Sequence, residues 1–226
     1  MNGSIDYTTI LDRAAAHHGG TDAVLEKAKN AHAGANLEQV PDDRWLSTMT
    51  RCVFCAGFNW KVIDAKWPGF EEAFIGFDPR QLAFMGEEML GSLVSDERIV
   101  RNGQKIKATL ANAQFICAVA DAHGSFGKFL VHWDPADQFG LMEHLNKHGS
   151  RLGGATAQFF LRFGGWDAWI ASPDGCKALY SAGALEKPQA KTKRELRAFQ
   201  SAINALHEQS GQPRAVLSRL LSLSVG

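Results

Sequence analysis

Apolar residues recur at α-helical spacing along most of this chain, and this constrains its fold more than any other feature. The clearest stripe lies between Lys105 and Ala122, where apolar residues occupy positions 106, 110, 113, 116, 117 and 120 and would share one helix face. Alternation typical of β-strands is almost absent, and breaks such as Pro68-Gly69 fall between the helical stretches. The sequence therefore predicts an all-α fold of roughly ten helices with short connections. The same period is found at 46–55, 156–163, 195–207 and 214–223.

The length and composition are those of a globular protein. The 226 residues are enough for one large domain with a substantial core, and 45% of them are hydrophobic, an ordinary proportion for such proteins. No apolar run approaches the ~18 residues of a membrane span, and the first residues lack the basic and apolar stretches of a signal peptide. The four cysteines are too few for a disulfide framework. We therefore expect a cytoplasmic protein without a membrane partner.

The net charge of zero conceals an asymmetry along the chain. Residues 1–145 contain 13 Lys and Arg against 19 Asp and Glu, a balance of −6, whereas residues 146–226 contain 11 against 5, a balance of +6. A protein that binds a polyanion needs only a basic contact face. The asymmetry points to phosphate contacts in the last third of the chain, although scattered surface charge would give the same totals.

The stretch from Leu145 to Phe163 has the pattern of a helix end, a glycine-rich turn and an apolar helix that starts near Gly154. Glycines let the backbone approach a ligand closely, and the free amides at a helix start attract anions. A helix-hairpin-helix motif holds a DNA phosphate in this way without reading sequence. The alternative is a purely structural turn. The candidate phosphate-binding residues are Lys147, His148, Gly149, Arg151, Gly153, Gly154 and Thr156.

Asp174 is the candidate catalytic residue. It follows Pro173 and precedes a helical pattern, so its simplest role is the N-cap of that helix. A carboxylate at a helix start can also face a cleft and stabilise positive charge that develops on a sugar. The two roles are compatible, and the sequence alone leaves both open.

Several short motifs occur together in a fixed order through the middle of the chain. They are Ala56-Gly57-Phe58-Asn59-Trp60, Phe70-Glu71-Glu72-Ala73-Phe74, Phe77-Asp78-Pro79, Ile99-Val100-Arg101-Asn102, Lys105-Ile106, Asn112-Ala113 and the run from Lys147 to Thr156. In this order and spacing they resemble the DNA-3-methyladenine glycosylase I family of the helix-hairpin-helix DNA glycosylase superfamily. The likeness spans residues 42–180, and Asp174 follows the hairpin at the kind of interval found for the catalytic Asp of the wider superfamily.

The resemblance implies an all-α, two-lobed fold like that of helix-hairpin-helix DNA glycosylases, formed by one domain over residues 1–226. Residues 1–40 would form an N-terminal helical extension, 147–156 the hairpin and 186–226 the C-terminal helices. The implied function is base-excision repair. A monomeric hydrolase would bind double-stranded DNA, flip out an alkylated purine, foremost 3-methyladenine, and cleave its N-glycosidic bond. The alternative is a non-catalytic DNA-binding or lesion-binding module on the same scaffold.

The resemblance also implies a base pocket. Trp60 lies where an aromatic side chain stacks on the extruded base, and Gly57 and Phe58 lie in the loop that fills the vacated stack. Without the resemblance, a core tryptophan would be the simpler interpretation of Trp60. The family's base-recognising Glu falls on Cys52 here. A thiol is no substitute for a carboxylate as an acceptor from the amino group of the base, so a changed base pocket is expected.

Metal and lyase chemistry are not expected. The zinc site that the family builds from terminal Cys and His residues is not recoverable, because no Cys precedes Cys52 and the stretch after Gly165 lacks the His and Cys pair. The Cys52 and Cys55 pair could be half a zinc site or a redox pair, but its helical context favours two small buried residues. Lys128 and Lys177 do not match the position of the superfamily's lyase nucleophile. We therefore expect a monofunctional hydrolase that uses water and no cofactor.

Overall fold

A computed structural model describes residues 5–29, 36–85 and 87–225. These residues form thirteen α-helices and three short 3₁₀ turns without any β-strand, which confirms the all-α class. Within the same ranges, no helix combines the length and the apolar character needed to cross a membrane. The helices are α1 Tyr7–His18, α2 Thr21–Lys29, α3 Asp42–Cys55, α4 Trp60–Ala73, α5 Pro79–Ala83, α6 Glu87–Ser95, α7 Gly103–His123, α8 Phe126–Val131, α9 Gln138–His148, α10 Ala155–Phe163, α11 Pro173–Ser181, α12 Lys193–Ser210 and α13 Arg214–Leu223.

Each stretch with helical periodicity lies in an observed helix, and α13 has the predicted bounds. The described helices outnumber the predicted ones because α5 and α8 have only five and six residues, too few for a periodic pattern to show. The prediction of a helix break at Pro68-Gly69 is wrong. Helix α4 continues through Pro68 to Ala73, and Phe70 in this last part is fully buried.

The chain divides into two compact units, of which the first comprises residues 1–35, 134–141 and 165–226. Helix α13 anchors its core, where Val216 and Leu220 cluster with Ala14 of α1 and Val24 of α2. The predicted N-terminal extension therefore belongs to the same hydrophobic core as the C-terminal helices, although its residues 1–4 and 30–35 lie outside the described part.

The second unit comprises residues 36–133 and 142–164. Trp45 of α3 is fully buried, and its ring centroid lies 5.7 Å from that of Phe126 and 6.0 Å from that of Phe160 in α10. Helix α7 has 21 residues and packs against α3, α5, α6 and α8. Helices α3, α7 and α10 together build the candidate site.

Candidate active site

A pocket of about 320 Å³ lies in the second unit, at the C-terminal end of α3. Helix α3 ends at Cys55, a short loop follows, and α4 begins at Trp60, while the start of α10 contributes the other wall. Cavities of this size accept small-molecule ligands. The lining residues are Cys52, Cys55, Ala56, Gly57, Trp60, Ala155, Thr156 and Phe159.

Three of the four predicted base-pocket residues, Cys52, Gly57 and Trp60, line this pocket. Gly57 has a φ of 74°, a left-handed conformation that glycine adopts without steric cost, so the loop between α3 and α4 depends on it. The fourth residue, Phe58, is not among the described residues that line the pocket. Its side chain is 44% exposed, and its ring centroid lies 4.6 Å from Lys105 Nζ.

Trp60 is the first residue of α4, and its indole forms part of an aromatic cluster with α10. The ring centroid lies 6.0 Å from that of Phe159 and 5.4 Å from that of Phe163, both in edge-to-face geometry. The guanidinium of Arg51 lies 5.7 Å from the same centroid and is held by Asp64, whose Oδ1 accepts bonds of 3.0 and 2.7 Å. Because the indole is only half-buried and lines a cavity, the interpretation as a core tryptophan is wrong.

The thiols of Cys52 and Cys55 lie one helical turn apart and both line the pocket. Both cysteines are free and buried, which confirms the interpretation of this pair as two small buried residues. Burial raises the pKa of Cys52 to about 12 and the pKa of Cys55 to about 11. Both pocket thiols are therefore protonated and uncharged at neutral pH.

We expect iodoacetamide to alkylate both pocket thiols at least ~100-fold more slowly than free cysteine at pH 8, because only the thiolate reacts. Raised pKa values also predict the pH dependence. A free thiol levels off near pH ~9, whereas the rates for Cys52 and Cys55 should still rise about tenfold per pH unit up to pH ~10.5. Tandem mass spectrometry of the labelled peptides measures each rate. Labelling in guanidinium is the control, and a free-thiol rate for native Cys52 would contradict the assignment.

Lys105, at the start of α7, is a site residue that the sequence did not single out. Its side chain is buried, and Nζ donates to the backbone oxygens of Phe54 at 2.9 Å and Ala56 at 2.7 Å. Burial, together with the charge of Arg151, lowers the pKa of Lys105. The ammonium group thus satisfies carbonyls at the end of α3 and fixes the loop that lines the pocket. No local signal separates it from the exposed Lys107, because its burial depends on tertiary packing.

Helix α9 ends at His148 and α10 begins at Ala155, which confirms the predicted helix, turn and helix. We call residues 149–154 the glycine turn. Gly149 is required for packing, since a Cβ there would lie 2.6 Å from Leu152 Cδ1 and 2.9 Å from the Leu145 oxygen. Gly154, at the start of α10, has a φ of 56°. The glycine turn therefore cannot accept ordinary side chains at these two positions without strain.

Asn112 of α7 forms hydrogen bonds to the glycine turn. It is a second site residue that the sequence did not single out. Its side chain is fully buried, with Nδ2 donating to the Ser150 oxygen at 3.1 Å and Oδ1 accepting from the Ser150 amide at 2.7 Å. The next residue, Arg151, has a φ of 59°, a conformation that costs a non-glycine residue about 1–2 kcal/mol. The paired hydrogen bonds to Ser150 hold the backbone beside this strained residue.

The predicted phosphate-binding side chains lie at and beside the glycine turn. Lys147, His148 and Arg151 are exposed, and the Arg151 guanidinium donates to the Gln104 side chain. The His148 ring is 4.5 Å from that of His144. Thr156 lines the pocket as well. The glycine turn and the pocket are therefore adjacent parts of one unit, joined through the first turn of α10.

Asp174 lies in the first unit, as the second residue of α11. Its interpretation as the N-cap is wrong, because Ser172 caps the helix and accepts from the Gly175 amide at 3.0 Å. Pro173 occupies the first helical position, where its missing N–H is harmless, so the cap falls on the residue before it. The Asp174 carboxylate is half-exposed and accepts from Lys177 Nζ at 3.0 Å.

A zinc site would require Cys, His, Asp or Glu side chains that come together. Across residues 5–29, 36–85 and 87–225, no three Cys, His, Asp or Glu side chains come together in a way that could hold a metal ion. Cys52 and Cys55 are the two cysteines that share a site, and both face the pocket. A tetrahedral zinc site needs three or four such ligands.

Comparison with known families decides the class of protein. The family model described as methyladenine glycosylase matches residues 37–151, just over half of the chain. The chain belongs to the methyladenine glycosylase family. The match begins before α3 and ends within the glycine turn, so it includes Cys52, Trp60, Lys105 and Asn112. Membership of this glycosylase family, predicted from the linked motifs, is confirmed.

Solved structures resemble the chain in fold. The 3-methyladenine DNA glycosylase I of Staphylococcus aureus shares 24% identity, with a TM-score of 0.52 over 69% of this chain and 90% of that one. The 8-oxoguanine glycosylase/lyase of Methanocaldococcus jannaschii, solved with DNA, shares 12% identity, with a TM-score of 0.53 over 94% of each chain. This methyladenine glycosylase family member therefore has the all-α fold of DNA glycosylases.

Proposed function

We propose that this chain is a base-excision repair enzyme that flips an alkylated purine, with 3-methyladenine as the leading candidate, out of duplex DNA and hydrolyses its N-glycosidic bond. The observation that carries the proposal is a cavity of about 320 Å³ with a half-buried tryptophan on its wall, adjacent to a glycine turn in the same compact unit. Family membership supports the same activity. Flipping is needed because the bond is inaccessible within the base stack.

Trp60 is the proposed platform for the extruded base. A 3-methyladenine nucleotide is cationic, and the face of an indole attracts a cation while excluding water. Phe58, on the loop between α3 and α4, is exposed and would fill the space that the base leaves in the duplex. Lys105 supports this loop through its bond to the Ala56 oxygen.

The glycine turn is the proposed contact to DNA phosphates. The exposed side chains of Lys147 and Arg151 supply positive charge, with His148 beside them, and the backbone amides of Gly153 and Gly154 are proposed as donors at the start of α10. Gly149 contributes through its small size, because its own amide donates to the Leu145 oxygen at 2.9 Å. Residues 146–226 carry the positive share of the chain's charge balance. These contacts orient a duplex without reading its sequence, so binding should tolerate any flanking sequence and fall with salt.

Asp174 is proposed to stabilise the oxocarbenium-like sugar and to orient the attacking water. The glycosidic bond breaks with its electron pair on the base, which leaves as a neutral molecule, and water adds to the sugar carbon and gives up a proton. A lyase route is not proposed. The amine of Lys105 is engaged by two carbonyl oxygens, and that of Lys177 is paired with Asp174.

Methylated duplex DNA provides the direct test. We expect the purified chain to release free 3-methyladenine, identified by chromatography, and to leave an intact abasic strand. The logarithm of the association constant for duplex DNA should decrease linearly with the logarithm of salt concentration, because phosphate contacts release counterions. Salt-dependent binding without base release would favour a non-catalytic lesion-binding module, and the absence of both would overturn the proposal.

A further inference from the structure

The two thiols at the C-terminal end of α3 form a pair to which the proposed glycosylase activity gives no role. Cys52 and Cys55 both line the cavity of about 320 Å³. Positions three apart on a helix share one face, with Cβ atoms ~5–6 Å from each other. The proximity of the thiols is also seen in the pKa of Cys52, which burial raises first and the charge of Cys55 raises further. The pair is therefore a dithiol inside a cavity.

The spacing of the pair disfavours a direct disulfide bond. An unstrained disulfide brings its two Cβ atoms to ~3.5–4.5 Å, which is closer than this spacing in a regular helix. Cys52 and Cys55 are free thiols in the last turn of α3, which is helical from Asp42 to Cys55. A disulfide would distort that turn, whereas one atom bound to both sulfurs spans the wider gap between them.

The number of ligands decides which thiol-binding element fits the pair. Zinc needs three or four protein ligands, and within the described part of the chain no three Cys, His, Asp or Glu side chains come together. A trivalent arsenic atom that carries one organic group forms two further bonds, one to each thiol of a pair. The product has no charge, which matches a cavity whose eight lining residues carry no formal charge.

The rest of the cavity has room for an aromatic group on the arsenic atom. Trp60 and Phe159 line it, with their ring centroids 6.0 Å apart. Ala56 and Ala155 contribute small side chains to the same wall. A cavity of this volume accepts a small organic ligand, and a phenyl ring inside it would contact the two aromatic side chains in favourable edge or stacked geometry.

We propose that Cys52 and Cys55 form a binding site for trivalent organic arsenicals, of which phenylarsine oxide is the probe. Two arsenic–sulfur bonds form, the arsenic–oxygen double bond breaks, and the two thiol protons leave with that oxygen as one molecule of water. Arsenic remains trivalent, so the reaction needs no oxidant or reductant. The adduct fills the cavity proposed for the extruded base, so this pair makes the chain sensitive to arsenicals.

The test is a titration of the purified chain with phenylarsine oxide in excess 2-mercaptoethanol, which displaces arsenic from single thiols. Intact-protein mass spectrometry should show one adduct per chain, with the mass of the reagent less one water, and 2,3-dimercaptopropanol should remove it. Cys52→Ser and Cys55→Ser should each weaken binding at least ~100-fold, because one thiol loses the effective concentration of the second. Cys117→Ser is the matched control outside the pocket and should bind like the wild type.

The melting temperature distinguishes a site in the folded protein from a reaction with the unfolded chain. A ligand that binds the folded state raises the melting temperature, so the probe should raise that of the wild type and leave that of Cys52→Ser unchanged. A lower melting temperature, no adduct on the wild type, or an undiminished adduct on both single variants would each overturn the proposal. None of these measurements uses base release, so such a failure is distinguishable from failure of the proposed function.

Discussion

Asp174→Asn should lower the rate of base release by about 10²–10⁴, the range for loss of a positioned general base, while duplex affinity stays within about twofold. The amide keeps the shape of the side chain but cannot take the proton of water or offset positive charge on the sugar. Single-turnover release from methylated duplex measures the chemical step, and fluorescence anisotropy at one salt concentration measures the affinity. An unchanged rate of base release by Asp174→Asn would show that Asp174 is not catalytic.

Loss of folding cannot account for such a result, because Asp174 contributes little to stability. Ser172 caps α11, and the bond from Lys177 joins two exposed side chains. Exposed ion pairs of this kind contribute less than about 1 kcal/mol, so the melting temperature should change by only a few degrees at most. Lys177→Gln is the matched control, since it breaks the same ion pair and keeps the carboxylate. If Lys177→Gln lost as much activity as Asp174→Asn, the ion pair rather than the carboxylate would be the essential feature.

The helical periodicity predicted where the long helices lie, because a long helix usually buries one face. Helices α7 and α12 have buried residues at helical spacing. Most residues of α13 are buried, and it begins and ends where the pattern does. The break predicted at Pro68 shows the limit of such patterns. A proline signals a break only on average, and the burial of Phe70 keeps α4 continuous beyond it.

The candidate site was predictable where its residues are close in sequence. Cys52, Gly57 and Trp60 lie on one motif that folds as a helix end, a loop and a helix start, so their proximity follows from the chain itself. The other wall comes from α10, about a hundred residues later, and its arrival depends on how α3 and α10 pack. Thr156 was expected to contact phosphate, and its place on the pocket wall is a tertiary property that no local pattern encodes.

Buried polar residues were the least predictable part of the site. Lys105 and Asn112 lie on the same helix as several exposed polar residues, and nothing in the local sequence distinguishes the buried polar residues from the exposed ones. What separates them is that their partners are backbone groups from other elements, the end of α3 for Lys105 and the glycine turn for Asn112. Both residues lie in motifs that resemble the family. Those motifs indicate that the segments matter, but they do not indicate what the two side chains do.

Asn112→Ala should strongly destabilise the protein. It would leave the Ser150 amide and oxygen without their partner, and each unsatisfied buried group costs about 1–3 kcal/mol. We expect the free energy of unfolding to fall by about 2–4 kcal/mol and the melting temperature by roughly 5–15 °C. Duplex affinity, measured below the melting temperature, should fall at least tenfold, because Arg151 and the amides of the glycine turn lose their fixed positions.

Gln114→Ala separates this effect from a general weakening of α7. Gln114 is exposed on the same helix, and its Nε2 donates to the Ala83 oxygen at 3.3 Å, so its loss should cost less than about 0.5 kcal/mol and leave affinity unchanged. Asn112→Asp keeps the acceptor for the Ser150 amide but turns a carboxylate oxygen towards the Ser150 carbonyl, so it should not rescue the glycine turn. A destabilised Asn112→Ala variant with full, salt-dependent duplex affinity would show that phosphates bind elsewhere, because no other role of Asn112 connects it to DNA.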